Sequence, residues 1–480
     1  MTLPSFASRP RPAAASLRAR AFARLKVVLS DRSDNRVTQL VAGKVFLVRV
    51  LSALLALASQ VLLARWMGRF EYGVFIYVWT WVLMIGALSD MGLSSASRRF
   101  IPEYAELKAL DDLRGFLSGS RWLAFAIATA AGGAGALIVS LATPWLDTFL
   151  IAPLYIACAA IPIYGLVQTQ AGIAQSYDWT TLALAPFYLW RQLALTIAMG
   201  AAWAFGAPTD AVTAMLIAVA TAWIVTLGQG VVLNRRLRGE VAAGSKRYAV
   251  KTWLGTALPM FMVEGFYLLL TYTDILALEH LRSPGEVAVY YAAARLLAIV
   301  AFVYFAIAGA TTHKFTQYYV ERDAERLQSF FGQTMRWTFW PSLAVCLGML
   351  AFGQPLLSLF GRGFDSGYWV MVILALGMLS RAAAGPAERL LSMLGDRAPC
   401  AAIYAAAFAV NLALCFVLIP RFGIEGAAAA TSTALAFESA LLYRLAKRRL
   451  SYHISIMRHS TQGAPESTPA TRDAAATIST

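Results

Sequence analysis

Apolar runs of about 18 or more residues recur along the whole chain, and each is long enough to cross the ~30 Å hydrocarbon core of a bilayer. A water-soluble fold has no place to bury so many of them. Charged residues are only 14% of the 480 residues, against 59% apolar, so there is too little polar surface to coat a globule, which usually carries about a quarter charged residues. The runs are too long, and alternate too little, for barrel strands of about ten residues. Helices follow, because lipid satisfies no free backbone group. The expected spans are 43–66, 73–95, 117–141, 149–173, 182–206 and 211–233, then 253–276, 286–310, 335–355, 366–388, 398–419 and 424–446. The fold class is therefore an all-α membrane protein of about twelve transmembrane helices.

The net charge of +15 would suggest nucleic acid in a soluble protein. Here its distribution along the chain excludes that reading. Basic residues crowd the N-terminal tail (Arg9, Arg11, Arg18, Arg20, Arg24, Lys26, Arg32, Arg36) and the loop after span two (Arg98, Arg99, Lys108, Arg114). They crowd equally the loop after span six (Arg235, Arg236, Arg238, Lys246, Arg247, Lys251) and the end of span twelve (Lys447, Arg448, Arg449). The opposite loops hold Arg65, Arg69, Arg282, Arg362 and Arg421. That asymmetry is the positive-inside pattern, and it places both termini in the cytoplasm of a multi-pass protein of the inner, cytoplasmic membrane. The four cysteines, Cys158, Cys346, Cys400 and Cys415, lie within or at the ends of apolar runs and lack metal-ligand spacing. They read as small apolar side chains, with no disulfide, metal or cofactor.

The domain organisation reads as a basic cytoplasmic tail (1–40), a first six-helix bundle (41–234) and a cytoplasmic linker (235–252). A second six-helix bundle (253–446) and a disordered cytoplasmic tail (447–480) follow. Within the first tail, Leu17 to Leu29 alternate basic and apolar residues as in an interfacial helix. Ala56-Leu57-Ala58 imitates a signal-cleavage site, but the apolar run continues through Val61, Leu62 and Leu63, so the first span is expected to be retained. The stretch Ser460–Thr480 is rich in Ser, Thr, Ala and Pro, the composition of a disordered segment.

The halves resemble one another. Leu113-Arg114-Gly115-Phe116 leads to Arg121-Trp122, and Leu327-Gln328-Ser329-Phe330 leads to Arg336-Trp337. The same offset superposes span one on span seven. A Pro-x-Leu-x-x-Phe pattern follows the third span of each half, at Pro144–Phe149 and Pro355–Phe360. Six spans per half make a parallel repeat, an arrangement that encloses a central cavity and rocks about it to give alternating access.

Several segments carry a family resemblance. Leu63-Ala64-Arg65-Trp66-Met67-Gly68 with Glu71-Tyr72-Gly73-Val74-Phe75, then Ser89-Asp90-Met91-Gly92-Leu93, are similar to the first hairpin and second helix of the polysaccharide flippases. These form a branch of the multidrug, oligosaccharidyl-lipid and polysaccharide exporter superfamily. Asp274–Leu278, Val289–Leu296 and Gly353–Gly361 resemble its seventh, eighth and ninth helices. The family often has a proline near the inner end of helix eight, where this chain has His313. The resemblance implies a transporter that flips a polyprenyl-pyrophosphate-linked oligosaccharide outward, amid membrane lipids and alongside polysaccharide polymerase machinery. The alternatives are a major facilitator carrier, a drug-cation antiporter, or an envelope glycan polymerase or ligase. Against the first, the facilitator signature at Gly86-Ala87-Leu88-Ser89-Asp90 is broken by Met91 and by the early Gly92. Against the last, no large external loop and no nucleophile motif is present.

Ionisable groups inside spans are the sharpest functional signal, since an Arg at a helix centre costs about 2.5–3.5 kcal/mol. Arg191 and Arg295 fall near mid-depth, and Arg49 and Arg381 nearer the inner side. All four are candidate cavity residues for an anionic head group. Glu264 and Asp274 are candidate ion-coupling residues. Glu264, Tyr267, Thr271 and Asp274 are expected on one helical face, with Glu264 close to Arg295. Asp90 is expected in a loop or capping role, and Glu438 to pair with Arg444.

Cysteines placed at Ser283 and Ser366 are expected to react with an impermeant thiol reagent from outside, and cysteines at Ser245 and Ser460 to stay unlabelled. The reversed pattern would overturn the orientation.

Overall fold

The computed structural model describes residues 34–462, with side chains over 51–450 apart from 302, 305, 310, 312, 313 and 397. The basic tail with its expected interfacial helix, and the segment beyond Gln462, lie outside the described residues. So do the side chains of Arg49 and His313.

The described chain is helical. In order come α1 (Asp34–Leu88), α2 (Leu93–Glu106), α3 (Leu110–Ala142), α4 (Thr148–Cys158), α5 (Ile161–Ser176) and α6 (Thr180–Ala185). A π-helical turn (Pro186–Trp190) leads into α7 (Arg191–Ala204), followed by α8 (Ala211–Glu240). Then follow α9 (Val250–Leu281), α10 (Pro284–Val320), α11 (Ala324–Ala351), α12 (Gly353–Ser358), α13 (Tyr368–Ala384), α14 (Ala387–Met393) and α15 (Arg397–Gln462). Among the described residues eight helices are long and apolar enough to cross a membrane, or nine if the bent pair α4–α5 counts as one span. That pair covers the expected span 149–173 and bends by 42°. The backbone resumes at Ile161 with Pro162, which lacks an N–H and is accommodated only in a helix's first turn. Helix α15 continues to Gln462, through residues expected to belong to the C-terminal tail.

Two helices are far longer than a bilayer requires. At 1.5 Å per residue, the 55 residues of α1 would extend more than twice the hydrocarbon thickness. Each such helix is broken at a glycine: Gly68 in α1 (φ 78°, ψ 169°) and Gly423 in α15 (φ 62°, ψ −134°). Positive φ is strained for any residue with a Cβ, so these glycines let the chain reverse without a loop. Elsewhere local chemistry sets the boundaries. Asp210 accepts from the Thr213 amide to start α8. Ser283 and Glu286 form a capping box with Pro284 in the first turn of α10.

The described residues from Ser52 onward form one compact unit. Within it the two halves interlock at the end marked by Gly68, Pro284 and Gly423. The core there combines Leu63, Tyr72, Phe75 and Val78 of α1 with Val289, Tyr290, Ala293 and Leu297 of α10, and with Phe360 and Phe364. Arg65 donates to the Leu359 carbonyl at 2.5 Å, and Arg282 to the Ile419 carbonyl at 2.9 Å. Apolar burial does not drive such packing in lipid; close van der Waals approach between small residues does. Gly73 is the tightest case. A Cβ there would lie 1.8 Å from the Pro284 carbonyl oxygen.

At the opposite end, the linker between the halves is pinned across the start of α3. Arg247 pairs with Asp112, its amide donates to the Asp111 carbonyl at 2.9 Å, and Arg114 donates to the Ala242 carbonyl at 2.8 Å. Phe116 of α3 meets Trp253 of α9 edge-on. Large apolar side chains cover the periphery, among them Trp145 (84% exposed), Phe205 (89%) and Ile224 (70%). Such a surface suits lipid, with Trp at the interfaces. The four cysteines are free, with Cys158 half-buried and the other three buried.

Gly73→Ala is expected to prop this end open, because the backbone oxygen opposite cannot rotate away. Overpacking costs about 1–3 kcal/mol. A cysteine at Val289, 2% exposed, is then expected to react with a thiol reagent at least about fivefold faster in the Gly73→Ala background. An unchanged labelling rate would show that this contact does not seal the end.

Candidate functional site

Opposite the sealed end, a cavity of about 420 Å³ opens between α2 of the first half and α9, α10, α13, α14 and α15 of the second. Helical spacing builds its walls. Ser95, Arg98 and Arg99 stand at i, i+3 and i+4 on α2. Met260, Val263, Glu264 and Tyr267 stand on one face of α9. Tyr304 on α10, Arg381 on α13, Glu388, Arg389 and Ser392 on α14, and Tyr404 on α15 close the circle. Four guanidinium groups thus meet two carboxylates.

The charges are organised differently on the two sides. Arg98 donates to Ser95 Oγ at 2.9 Å and to Gln175 Oε1 at 3.3 Å. Ser95 Oγ donates in turn to Glu264 Oε1 at 2.7 Å. This relay joins α2 to α9 across the cavity. On the other side Arg381 lies over the rings of Tyr267 (5.1 Å) and Tyr304 (5.4 Å), with Glu438 3.8 Å behind it. Arg99 and Arg389 pair loosely with Glu103 (3.5 Å) and Glu388 (3.7 Å). Exposed pairs of that kind contribute about 0–1 kcal/mol, so both guanidinium groups stay available to a stronger anion.

A second chamber, about 190 Å³, extends from the first toward α5 and the π-helical turn. The two share Ser95, Arg98 and Glu264.

Of the residues singled out in the sequence, Arg381 and Glu264 line the main cavity. Arg191 and Arg295 belong to the walls of neither chamber. Arg191 lies over Phe187 (5.0 Å) and Trp79 (5.4 Å), one layer behind the second chamber. Arg295 lies within electrostatic reach of Tyr72 and Tyr272. The hydrogen-bond partner of Glu264 is Ser95 on α2. Asp274 lies outside the cavity because ten residues at 1.5 Å each set it about 15 Å along α9 from Glu264. It is buried, and accepts hydrogen bonds from Tyr290 (2.5 Å) and Thr431 (3.2 Å). Asp90 accepts from the Ser94 amide (3.0 Å) at the start of α2 and from Thr169 (2.6 Å) on α5. Glu438 faces Arg381 rather than Arg444: six residues along a helix is 240° around it, so Arg444 points elsewhere. Arg98, Arg99 and Arg389 are site residues not singled out in the sequence: Arg98 and Arg99 read as topological charge, and nothing in the local pattern marks Arg389. The spacing of Ser95, Arg98 and Arg99 was the available clue.

The model of a family described as "Polysaccharide biosynthesis protein" matches residues 42–312, and the MatE model matches 259–417. No curated protein matches the chain. Among solved structures, it is similar to an inward-facing multidrug resistance MATE family transporter of the MOP superfamily. That match has a TM-score of 0.69 at 14% identity, over 84% of this chain and 96% of that one. It is similar also to the lipid II flippase MurJ in an inward closed conformation (TM-score 0.66, 14% identity, 87% and 92% covered). A MOP superfamily transporter from Pyrococcus furiosus matches with a TM-score of 0.63 at 13% identity, over 87% of this chain and 96% of that one. The fold is therefore that of the MOP transporters, and the major facilitator alternative falls. With its model matching more than half of the 480 residues, the chain belongs to the polysaccharide biosynthesis protein family, with the membrane-spanning fold of a MOP-superfamily transporter.

Proposed function

We propose that the protein flips a lipid-linked oligosaccharide across the cytoplasmic membrane by alternating access, holding the pyrophosphate of the polyprenyl carrier in the main cavity. The observation that carries this reading is the convergence of Arg98, Arg99, Arg381 and Arg389 on one cavity between the halves. A guanidinium binds phosphate oxygens in bidentate geometry, and low-dielectric walls focus the field of such a cluster. The same excess of positive charge disfavours a drug cation, the alternative that shares the fold. Twelve crossings follow if the bent pair α4–α5 counts once, each glycine-broken helix twice and α11 once. With the basic loops in the cytoplasm, the cavity opens inward while the sealed end faces out.

Glu264 is the proposed coupling group. Its hydrogen bond from Ser95 ties the two halves together, so protonation or ion exchange at this carboxylate would change how firmly α2 holds α9.

Deleting the gene is expected to leave lipid-linked glycan on the inner leaflet. Arg98→Ala and Arg381→Ala, at normal protein levels, are each expected to lower flipping about 10- to 100-fold, the loss of a charged hydrogen bond worth about 1.5–3 kcal/mol. Arg→Lys variants are expected to recover only part, because Lys keeps the charge but lacks the fork. Full activity in both alanine variants would refute the cationic site. In vesicles, Glu264→Gln is expected to retain folding and lose the response of transport to an imposed ion gradient; a normal response would remove the coupling role.

A further inference from the structure

The second chamber differs in character from the first. Beyond the shared Arg98 and Glu264 at its mouth, its wall carries no charged side chain. At about 190 Å³ it holds several times the ~30 Å³ that one water occupies in the liquid, so it admits a ring-sized group. On α5, Gln168 and Gln175 sit two turns apart on one face, with Ala171 and Gly172 between them. Gly172 lets α5 approach the backbone of Ser94, where a Cβ would lie 2.5 Å from the carbonyl oxygen, and the two amides bracket the chamber wall between them. Gln175 already accepts from Arg98, whereas the Gln168 amide makes no hydrogen bond among the described residues.

The opposite wall comes from the π-helical turn Pro186–Trp190, an irregularity frequent at functional sites. It presents Phe187 and the half-exposed Tyr188 to the chamber. Arg191 stacks behind the Phe187 ring at 5.0 Å and supports it. Amides that donate and accept, set against aromatic faces, match a sugar ring, with hydroxyls at its rim and C–H groups on its faces.

We propose that this chamber is a subsite for an uncharged sugar, the residue attached directly to the diphosphate, and that Gln168 and Tyr188 set the preference for it. The inference rests on the diphosphate reading of the main cavity. The shared Arg98 marks where the two parts of one ligand would join.

The test measures binding of two probes to the full-length protein in nanodiscs: polyprenyl diphosphate alone, and the same lipid carrying one N-acetylhexosamine. The wild type is expected to bind the glycosylated lipid about tenfold more tightly, the effect of one or two added hydrogen bonds. Gln168→Leu and Tyr188→Ala are expected to erase that preference, their affinity for the bare lipid serving as the check on folding. Independently of any variant, a photoreactive N-acetylhexosamine on the lipid is expected to cross-link to the 161–190 segment. Equal wild-type affinity for both lipids, a preference that survives both substitutions, or cross-links confined to other helices would each overturn the subsite and leave the diphosphate reading standing. Failure of the wild type to bind either lipid would overturn both.

Discussion

A guanidinium has no stable place in hydrocarbon, and the interior of this protein is arranged around that constraint. Placing one there costs about 2.5–3.5 kcal/mol, so each must find a partner or a wet cavity. Arg381 finds both: two aromatic faces, Tyr267 and Tyr304, and the Glu438 carboxylate behind it. Each cation–π contact contributes roughly 0.5–2 kcal/mol. To supply those partners, α13 must face α9, α10 and α15 at once, and that requirement shapes one wall of the cavity. Arg191 meets the same demand in the first half by lying over Phe187 and Trp79.

The two ends of the molecule are held by different physics. The sealed end depends on close approach, with Gly73 against the Pro284 carbonyl and alanines such as Ala292 and Ala293 fully buried. Among the described residues, polar bonds across it are few, such as those that Arg65 and Arg69 donate to the Leu359 and Gly363 carbonyls. Around the cavity, polar groups decide which helices travel together. Asp274 joins Tyr290 and Thr431, and so ties α9 to α10 and α15 as one body. The first half reaches α9 at the cavity through the Ser95–Glu264 hydrogen bond. A hydrogen bond to a charged group contributes about 1.5–3 kcal/mol.

The similarity to known transporters and the cavity chemistry answer separate questions. At 12–14% identity the solved structures establish the fold. The cluster of Arg98, Arg99, Arg381 and Arg389 speaks to the ligand, through charge and geometry that belong to this chain. The neutral chamber beside it, closed by a π-helical turn, adds a second region of different chemistry within reach of the same arginine.

Membrane insertion and helical class were legible in the sequence because bilayer thickness and backbone hydrogen bonding act on each segment separately. So were the breaks at Gly68 and Gly423, which fall at the expected boundaries between spans 43–66 and 73–95 and between 398–419 and 424–446. The capping role of Asp90 was also readable, since it depends on residues a few positions away. The site was less legible, because its members come from six helices. Arg98 and Arg99 carry the composition of a cytoplasmic loop, and only the packing of α2 against α9 turns them into a cavity. Glu438 has a basic residue nearby in the chain, but the 3.6-residue period points it at Arg381 instead. Glu264 could be recognised as an expensive carboxylate within an apolar span from its position alone. Its partner, Ser95, lies 169 residues away. Local sequence determines which segments are helices and where they end; which side chains meet is decided by how those helices face one another, and long-range packing sets that.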